Sequence, residues 1–258
     1  MSTLDSEVSR WDPITLDELI EVAALQTRID RKYVLPACEL KAVLDSLAYS
    51  DPRVLELAGA RSSRYESVYF DTPDLLSYRM AALARRRRFK LRTRNYVDSA
   101  ESYLELKTRG ARNTTVKGRI VHDIAQRDAL TPAGRLYADA ALERLGLIHP
   151  ELLRLSPTLV TRYDRTTLYL KGSASRATID TELSWHASDG SELALPQLAI
   201  VESKSGSRTS EMDRALWAHG HRPATISKFG TGLAALRPDL PSNKWARVLR
   251  RHFAKDAR

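Results

Sequence analysis

Lys90, Arg92 and Arg94 alternate with Phe89, Leu91 and Thr93 inside the stretch Ala84–Tyr96, which reads ARRRRFKLRTRNY. A period of two puts the three cations on one face of a strand and the less polar residues on the other. The alternation recurs along the chain. Arg28, Asp30 and Lys32 share a face, as do Glu105 with Lys107, Lys117 with Arg119, and Glu202 with Lys204. Arg176, Thr178, Asp180 and Glu182 make a longer row, and the opposite faces carry Tyr33, Leu104, Leu106, Ala177, Ile179 and Val201. Cations gathered at this density repel one another unless an anion lies among them. A polyphosphate chain or a nucleoside triphosphate has the charge density and the length to touch several rows. Each charge-assisted contact is then worth about 1.5–3 kcal/mol. The carboxylates in the rows would repel phosphate unless a divalent cation lay between. Glu202 and Glu105 are therefore candidate ligands for Mg²⁺ or Mn²⁺. The alternative for each is a plain salt bridge to its strand neighbour, Lys204 or Lys107.

Strands that are ionic on one face and apolar on the other can gather their charges in a closed barrel with a polar lumen, helices covering the outside. The expected strands cover Arg28–Leu35, Arg64–Asp71, the basic stretch, Glu101–Thr108, Val116–Asp123, Thr158–Leu170, Arg176–Trp185 and Leu195–Lys204. The expectation is an α+β protein: an eight-stranded antiparallel β-barrel with helices packed outside. Thr15-Leu-Asp-Glu18 is a capping box, and Thr131-Pro132 starts a helix that Gly146 ends. Ser210–His219 is a further helix. Residues 1–27 read as an N-terminal helical extension, 28–236 as the barrel domain, and 237–258 as a basic amphipathic helix. In that last helix Trp245, Val248, Leu249 and Phe253 lie opposite Arg247, Arg250, Arg251 and Lys255. Such a helix suits either a cap over the barrel or peripheral contact with an anionic membrane.

Lys and Arg total 41 against 32 Asp and Glu, a formal net charge of +9, which points to an anionic partner. One cysteine, Cys38, excludes an internal disulfide and any multi-cysteine metal site. The acidic, polar start and the lack of a long apolar run fit a cytoplasmic protein. No Gly-rich phosphate loop, kinase catalytic loop or H-E-x-x-H motif occurs. His219-Gly-His221 lacks a third ligand nearby, and no specific nucleic-acid module is visible.

Nine short motifs in order resemble a known family. They are Arg28-x-Asp30-x-Lys32-Tyr33, Ser67-x-Tyr69-Phe70-Asp71-Thr72-Pro73, Lys90-x-Arg92-x-Arg94-x-Tyr96, Glu105-x-Lys107 and Lys117-x-Arg119, followed by Tyr163-x-Arg165, Arg176-x-Thr178-x-Asp180, Glu202-x-Lys204 and Ser227-Lys228. From Arg28 to about Leu236 the chain resembles the polyphosphate polymerase domain of the vacuolar transporter chaperone (VTC) group, within the triphosphate tunnel metalloenzymes of the CYTH-like superfamily. The resemblance implies an eight-stranded tunnel, ATP as substrate, polyphosphate as product, and Mn²⁺ or Mg²⁺ as cofactor. It implies phosphate contacts from Lys32, Arg92, Arg94, Lys107, Arg165, Arg176 and Lys228, with Glu202 on the metal.

Taken with the ionic rows, the expected catalytic set is Arg92, Arg94, Lys107, Arg165 and Arg176. Substrate binding is expected from Lys32, Lys90, Lys117, Arg119, Lys204 and Lys228, and metal binding from Glu202 and Glu105. The family usually has Glu where this chain has Asp30, and the run Arg85–Arg88 is more basic than its pattern requires. Sister triphosphatases and class IV adenylate cyclases resemble an E-x-E-x-K start. Arg28 stands at the first glutamate, which favours the polymerase branch. The expected activity is metal-dependent transfer of the ATP γ-phosphoryl to a growing polyphosphate chain. The alternatives are a tunnel triphosphatase and a non-catalytic polyanion-binding barrel.

Overall fold

The computed structural model describes residues 3–23, 29–110, 115–206 and 208–253; Arg28 and Lys255 lie outside them. The described strands are β1 (Pro13–Ile14), β2 (Ile29–Pro36), β3 (Pro52–Leu55), β4 (Ser63–Asp71), β5 (Arg88–Tyr96), β6 (Glu101–Arg109), β7 (Thr115–His122), β8 (Ser156–Leu170), β9 (Ser175–Ala187), β10 (Glu192–Leu195) and β11 (Leu198–Ser205). The helices are α1 (Thr3–Val8), α2 (Leu16–Val22), α3 (Leu40–Asp45), α4 (Leu76–Ala82), α5 (Pro132–Leu145), α6 (Glu211–Ala218), α7 (Lys228–Leu236) and the single turn α8 (Ala246–Val248). The chain divides into two compact units built from interleaved segments: residues 1–64, 163–183 and 195–226, and residues 65–162, 184–194 and 227–258.

In the first unit the strand order is β2-β11-β9-β8, with β3 on β8 and β1 parallel to β3. One face of this sheet buries Tyr33, Leu35, Ala177, Ile179, Ala199 and Val201 against Val43, Leu44 and Leu47 of the α3 region and Met212 and Leu216 of α6. Each fully buried aliphatic side chain of this kind contributes about 1.5–3 kcal/mol. The Thr15–Glu18 capping box opens α2, and a second box, Ser210 with Asp213, opens α6.

The second unit holds β4, β5, β6 and β7 in order, all antiparallel. Phe89 and Leu91 of β5 and Leu104 and Leu106 of β6 bury against Ala138, Leu142 and Leu145 of α5. Helix and sheet approach closely at Gly118, where a Cβ would come within 2.5 Å of the Tyr137 hydroxyl. Thr131 caps α5 with Pro132 inside its first turn, and Gly146 ends it at φ 90°. After Lys244 the chain tightens into α8 and a π-turn at Leu249–Phe253. Trp245, Val248 and Phe253 are buried, with Trp245 against Gly230 and the Phe253 ring 5.5 Å from Trp185. Packing on the second unit thus takes up most of the apolar side of the tail, and Arg247, Arg250 and Arg251 stay exposed.

The expected closed eight-stranded barrel needs correction. Among the described residues there are eleven strands, and the strand order is not closed. Closure requires both edges of every strand to be paired. The three extra strands, β1, β3 and β10, have two to four residues, too few to show a period in the sequence.

Asp71 holds the turn after β4. Its Oδ1 accepts the Thr72 and Ser77 amides at 2.8 Å each, and its Oδ2 accepts the Tyr78 amide at 2.9 Å. It thereby closes the start of α4, whose own N-cap, Leu75, sits at φ 59° and offers no side-chain bond. Asp71→Asn should turn an amide NH₂ toward a buried N–H and cost about 1–3 kcal/mol. The check is the urea midpoint, and an unchanged midpoint would mean that the turn holds without the carboxylate.

Candidate functional site

In the first unit β11 lies between β2 and β9, so Glu202 stands between Lys32 and Thr178, and Lys204 between Asp30 and Arg176. Lys204 Nζ donates to Glu202 Oε1 at 3.2 Å, while Lys32 Nζ lies 3.8 Å from Oε2. Opposite Ile200 stands Asp180, 1% exposed, which takes Arg165 in a two-pronged bond: Nε to Oδ1 at 2.6 Å and Nη2 to Oδ2 at 2.8 Å. Arg176 Nη2 reaches the Ala23 carbonyl at 3.5 Å. Burial alone would raise the Glu202 carboxyl, but Lys32, Lys204 and Arg165 hold it well below the usual carboxylate range. Burial pushes the Lys204 ammonium down to about 8 against the pull of Glu202. The expected row on β9 ends at Asp180. Glu182, at φ 50°, kinks the strand and is exposed.

In the second unit the β5–β6–β7 register stacks the ionic residues in rungs on one face. Lys90 faces Lys107, which faces Lys117; Arg92 faces Glu105, which faces Arg119; Arg94 faces Tyr103. Glu105 Oε2 accepts Arg92 Nε at 2.9 Å and Nη2 at 2.6 Å, and Arg94 Nε lies 3.6 Å away. Arg92 also donates to the Tyr69 hydroxyl at 3.0 Å. Lys90 donates at 2.9 Å to Ser227 Oγ, which in turn caps α7 by accepting the Gly230 amide. Lys228 is the first residue of α7, and its carbonyl accepts the Trp185 indole N–H at 2.8 Å.

The candidate residues thus fall into two sets. Lys32, Arg165, Arg176, Glu202 and Lys204 belong to the first unit. Lys90, Arg92, Arg94, Glu105, Lys107, Lys117, Arg119 and Lys228 belong to the second. Among the described residues no three Asp, Glu, His or Cys side chains cluster for a metal. Glu202 offers a divalent cation one carboxylate, leaving the other oxygens to phosphate and water. Hard cations at phosphate sites are often held in this way.

Sequence reasoning missed the aromatic backing of these cations. Lys90 Nζ lies 5.9 Å from the Tyr69 ring centre and 5.7 Å from that of Phe229. Arg92 lies 5.7 Å from Tyr69, Arg94 5.8 Å from Tyr65, Arg119 4.6 Å from Tyr103 and Arg165 5.2 Å from Tyr163. Within β5 the cations alternate with Phe89, Leu91 and Thr93, so no stacking pattern shows there. The tyrosines at alternate positions of β4 were the available signal. Also missed was Arg31, which turns to the core side and bonds the fully buried Asp213 at 3.1 Å, beside the Tyr33 hydroxyl.

One sheet face in each unit thus carries guanidinium and ammonium groups around a few ion-paired carboxylates, chemistry that suits a highly charged anion. The VTC domain family matches residues 27–237, and the chain belongs to that family. Similar solved structures include a candidate adenylate cyclase from Vibrio parahaemolyticus, at 12% identity, 78% of this chain and 94% of that chain covered, TM-score 0.41. Another is a candidate adenylyl cyclase from Hippeastrum, described as having a dominant triphosphatase activity, at 16% identity, 84% and 100% covered, TM-score 0.48. No curated protein matches the chain.

Proposed function

We propose that this chain is an ATP:polyphosphate phosphotransferase that uses Mn²⁺ or Mg²⁺ and moves the ATP γ-phosphoryl onto a growing polyphosphate chain. The observation that carries this reading is the rung Lys90–Lys107–Lys117, three lysines in one cross-strand register. Like charges directly opposite are destabilising in a sheet, so an anion lying along the rung would relieve repulsion among its ammonium groups. Membership of the VTC domain family supports phosphate chemistry as that anion's use.

Phosphate contacts come from Lys32, Arg165, Arg176 and Lys204 in the first unit. In the second they come from Lys90, Arg92, Arg94, Lys107, Lys117, Arg119 and Lys228. Glu202 holds the divalent cation, which when bound neutralises charge on the phosphate oxygens. Glu105 is better suited to fixing Arg92 and Arg94, since both guanidiniums converge on its Oε2. The acceptor is already an anion, so the chain needs no general base. Its side chains position donor and acceptor and stabilise the charge that spreads over the transferred group. The cytoplasm, where ATP is available, is the compartment that suits this reaction.

Calorimetric titration tests the site reading. Affinity should rise from AMP to ADP to ATP, and tripolyphosphate should bind at least as tightly as ATP because the cationic rungs meet phosphates and not the base. Equal affinity for AMP and ATP would refute it.

A further inference from the structure

The cationic face of the second unit does not stop at the lysine rung. Two residues further along β5 and β6, on the same face, Arg88 stands directly opposite Arg109. Lys244, from the turn before α8, closes α4 by donating its Nζ to the Ala81 carbonyl at 3.1 Å, and lies near enough for the Arg88 and Arg109 charges to act on it. Arg88 Nη1 donates to the Arg85 carbonyl at 2.6 Å. The Nε of Arg109 is buried and has no hydrogen-bond partner among the described residues. None of the three pairs with a carboxylate among the described residues. Burial and then the neighbouring Arg88 and Arg109 charges lower the Lys244 ammonium; burial and then Arg109 lower the Arg88 guanidinium.

A buried donor without an acceptor, in a cluster of like charges without a carboxylate, is a cost that a bound anion would remove. The charged rungs repeat every two residues, about 6.8 Å apart along the strands. A linear chain of phosphates carries charge along its whole length and can meet successive rungs. The ribose and base of a nucleotide carry no charge.

We propose that Arg88, Arg109 and Lys244 form a further phosphate site at the end of this cationic face, filled by linear polyphosphate chains longer than the triphosphate of a nucleotide. This inference rests on the reading of the lysine rung as a phosphate contact. The site would hold polymer in preference to nucleotide, and so favour extension of a bound chain over release after one transfer.

The test compares tripolyphosphate with polyphosphate of tens of residues in calorimetric titrations at fixed salt. The proteins are the full chain, the double variant Arg109→Gln/Lys244→Gln, and Arg86→Ala as a surface control. Glutamine at position 244 keeps a donor for the Ala81 carbonyl. The double variant should bind the long chain about tenfold more weakly or worse, with tripolyphosphate affinity changed less than about twofold. Its thermal midpoint without ligand should stay level or rise. Equal losses for both ligands, no loss for the long chain, or the same loss for an RNA oligonucleotide of matched charge would overturn the site. If the unaltered protein binds neither phosphate ligand, the reading of the whole cationic face falls with it.

Discussion

Glu202→Gln should lower ATP turnover by about a hundredfold or more while leaving the binding of metal-free tripolyphosphate intact or tighter. The change keeps the size of the side chain and removes a carboxylate that Lys32, Lys204 and Arg165 hold ionised. Without a divalent cation its loss frees Lys32 and Lys204 to face phosphate. With the cation, the carboxylate that would anchor it is gone. Lys204 is left buried without its partner, so some stability is lost as well. The two proteins must therefore be compared where circular dichroism shows both folded. Equal turnover at saturating Mn²⁺ would sink the assignment of Glu202 to the metal.

The second large effect is expected at Arg92. Removing it deletes one charge-assisted phosphate contact, worth about 1.5–3 kcal/mol, or about ten- to a hundredfold in triphosphate affinity. It also unties Glu105, which Arg92 holds at 2.6–2.9 Å, and a loosened carboxylate repels phosphate further. Turnover should fall along with binding if the contact strengthens as charge develops during transfer. Arg92→Lys should recover only part of the loss, since an ammonium cannot reproduce the fork on Glu105 and Tyr69. Arg86→Ala is the control: Arg86 belongs to the same basic run but is exposed and precedes β5. Equal losses for Arg86→Ala and Arg92→Ala would reduce the stretch to a diffuse basic patch.

The period of two made much of this legible. It separated Lys90, Arg92 and Arg94 from Phe89 and Leu91, and the structure buries the latter pair against α5. It also placed Glu202 and Lys204 on one face, and capping chemistry located the starts of α2 and α5. What it could not show was pairing between strands. Sequence neighbours suggested Lys107 as the partner of Glu105, but the register brings Arg92 opposite it. The aromatic backing from β4 and the fork from Arg165 to Asp180 also depend on which strands lie side by side. The kink at Glu182 was hidden because nothing in a Thr-Glu-Leu run signals a positive φ. The Arg88–Arg109–Lys244 cluster needed three distant segments together, and in sequence Arg88 looked like surplus charge.

A polymerase passes the ATP γ-phosphoryl to another phosphate, and a triphosphatase passes it to water. The most direct measurement follows γ-³²P-labelled ATP, incubated with the purified chain and Mn²⁺, and partitions the label between free phosphate and acid-insoluble polymer, with the polymer resolved on a gel. Metal-dependent label should appear in a ladder of polyphosphate and be lost in Glu202→Gln. Label released in step with ATP loss as inorganic phosphate, with no ladder, would identify a triphosphatase and contradict the polymerase reading. ATP left unconsumed by a protein that still binds tripolyphosphate would contradict it too, leaving a polyanion-binding protein without turnover.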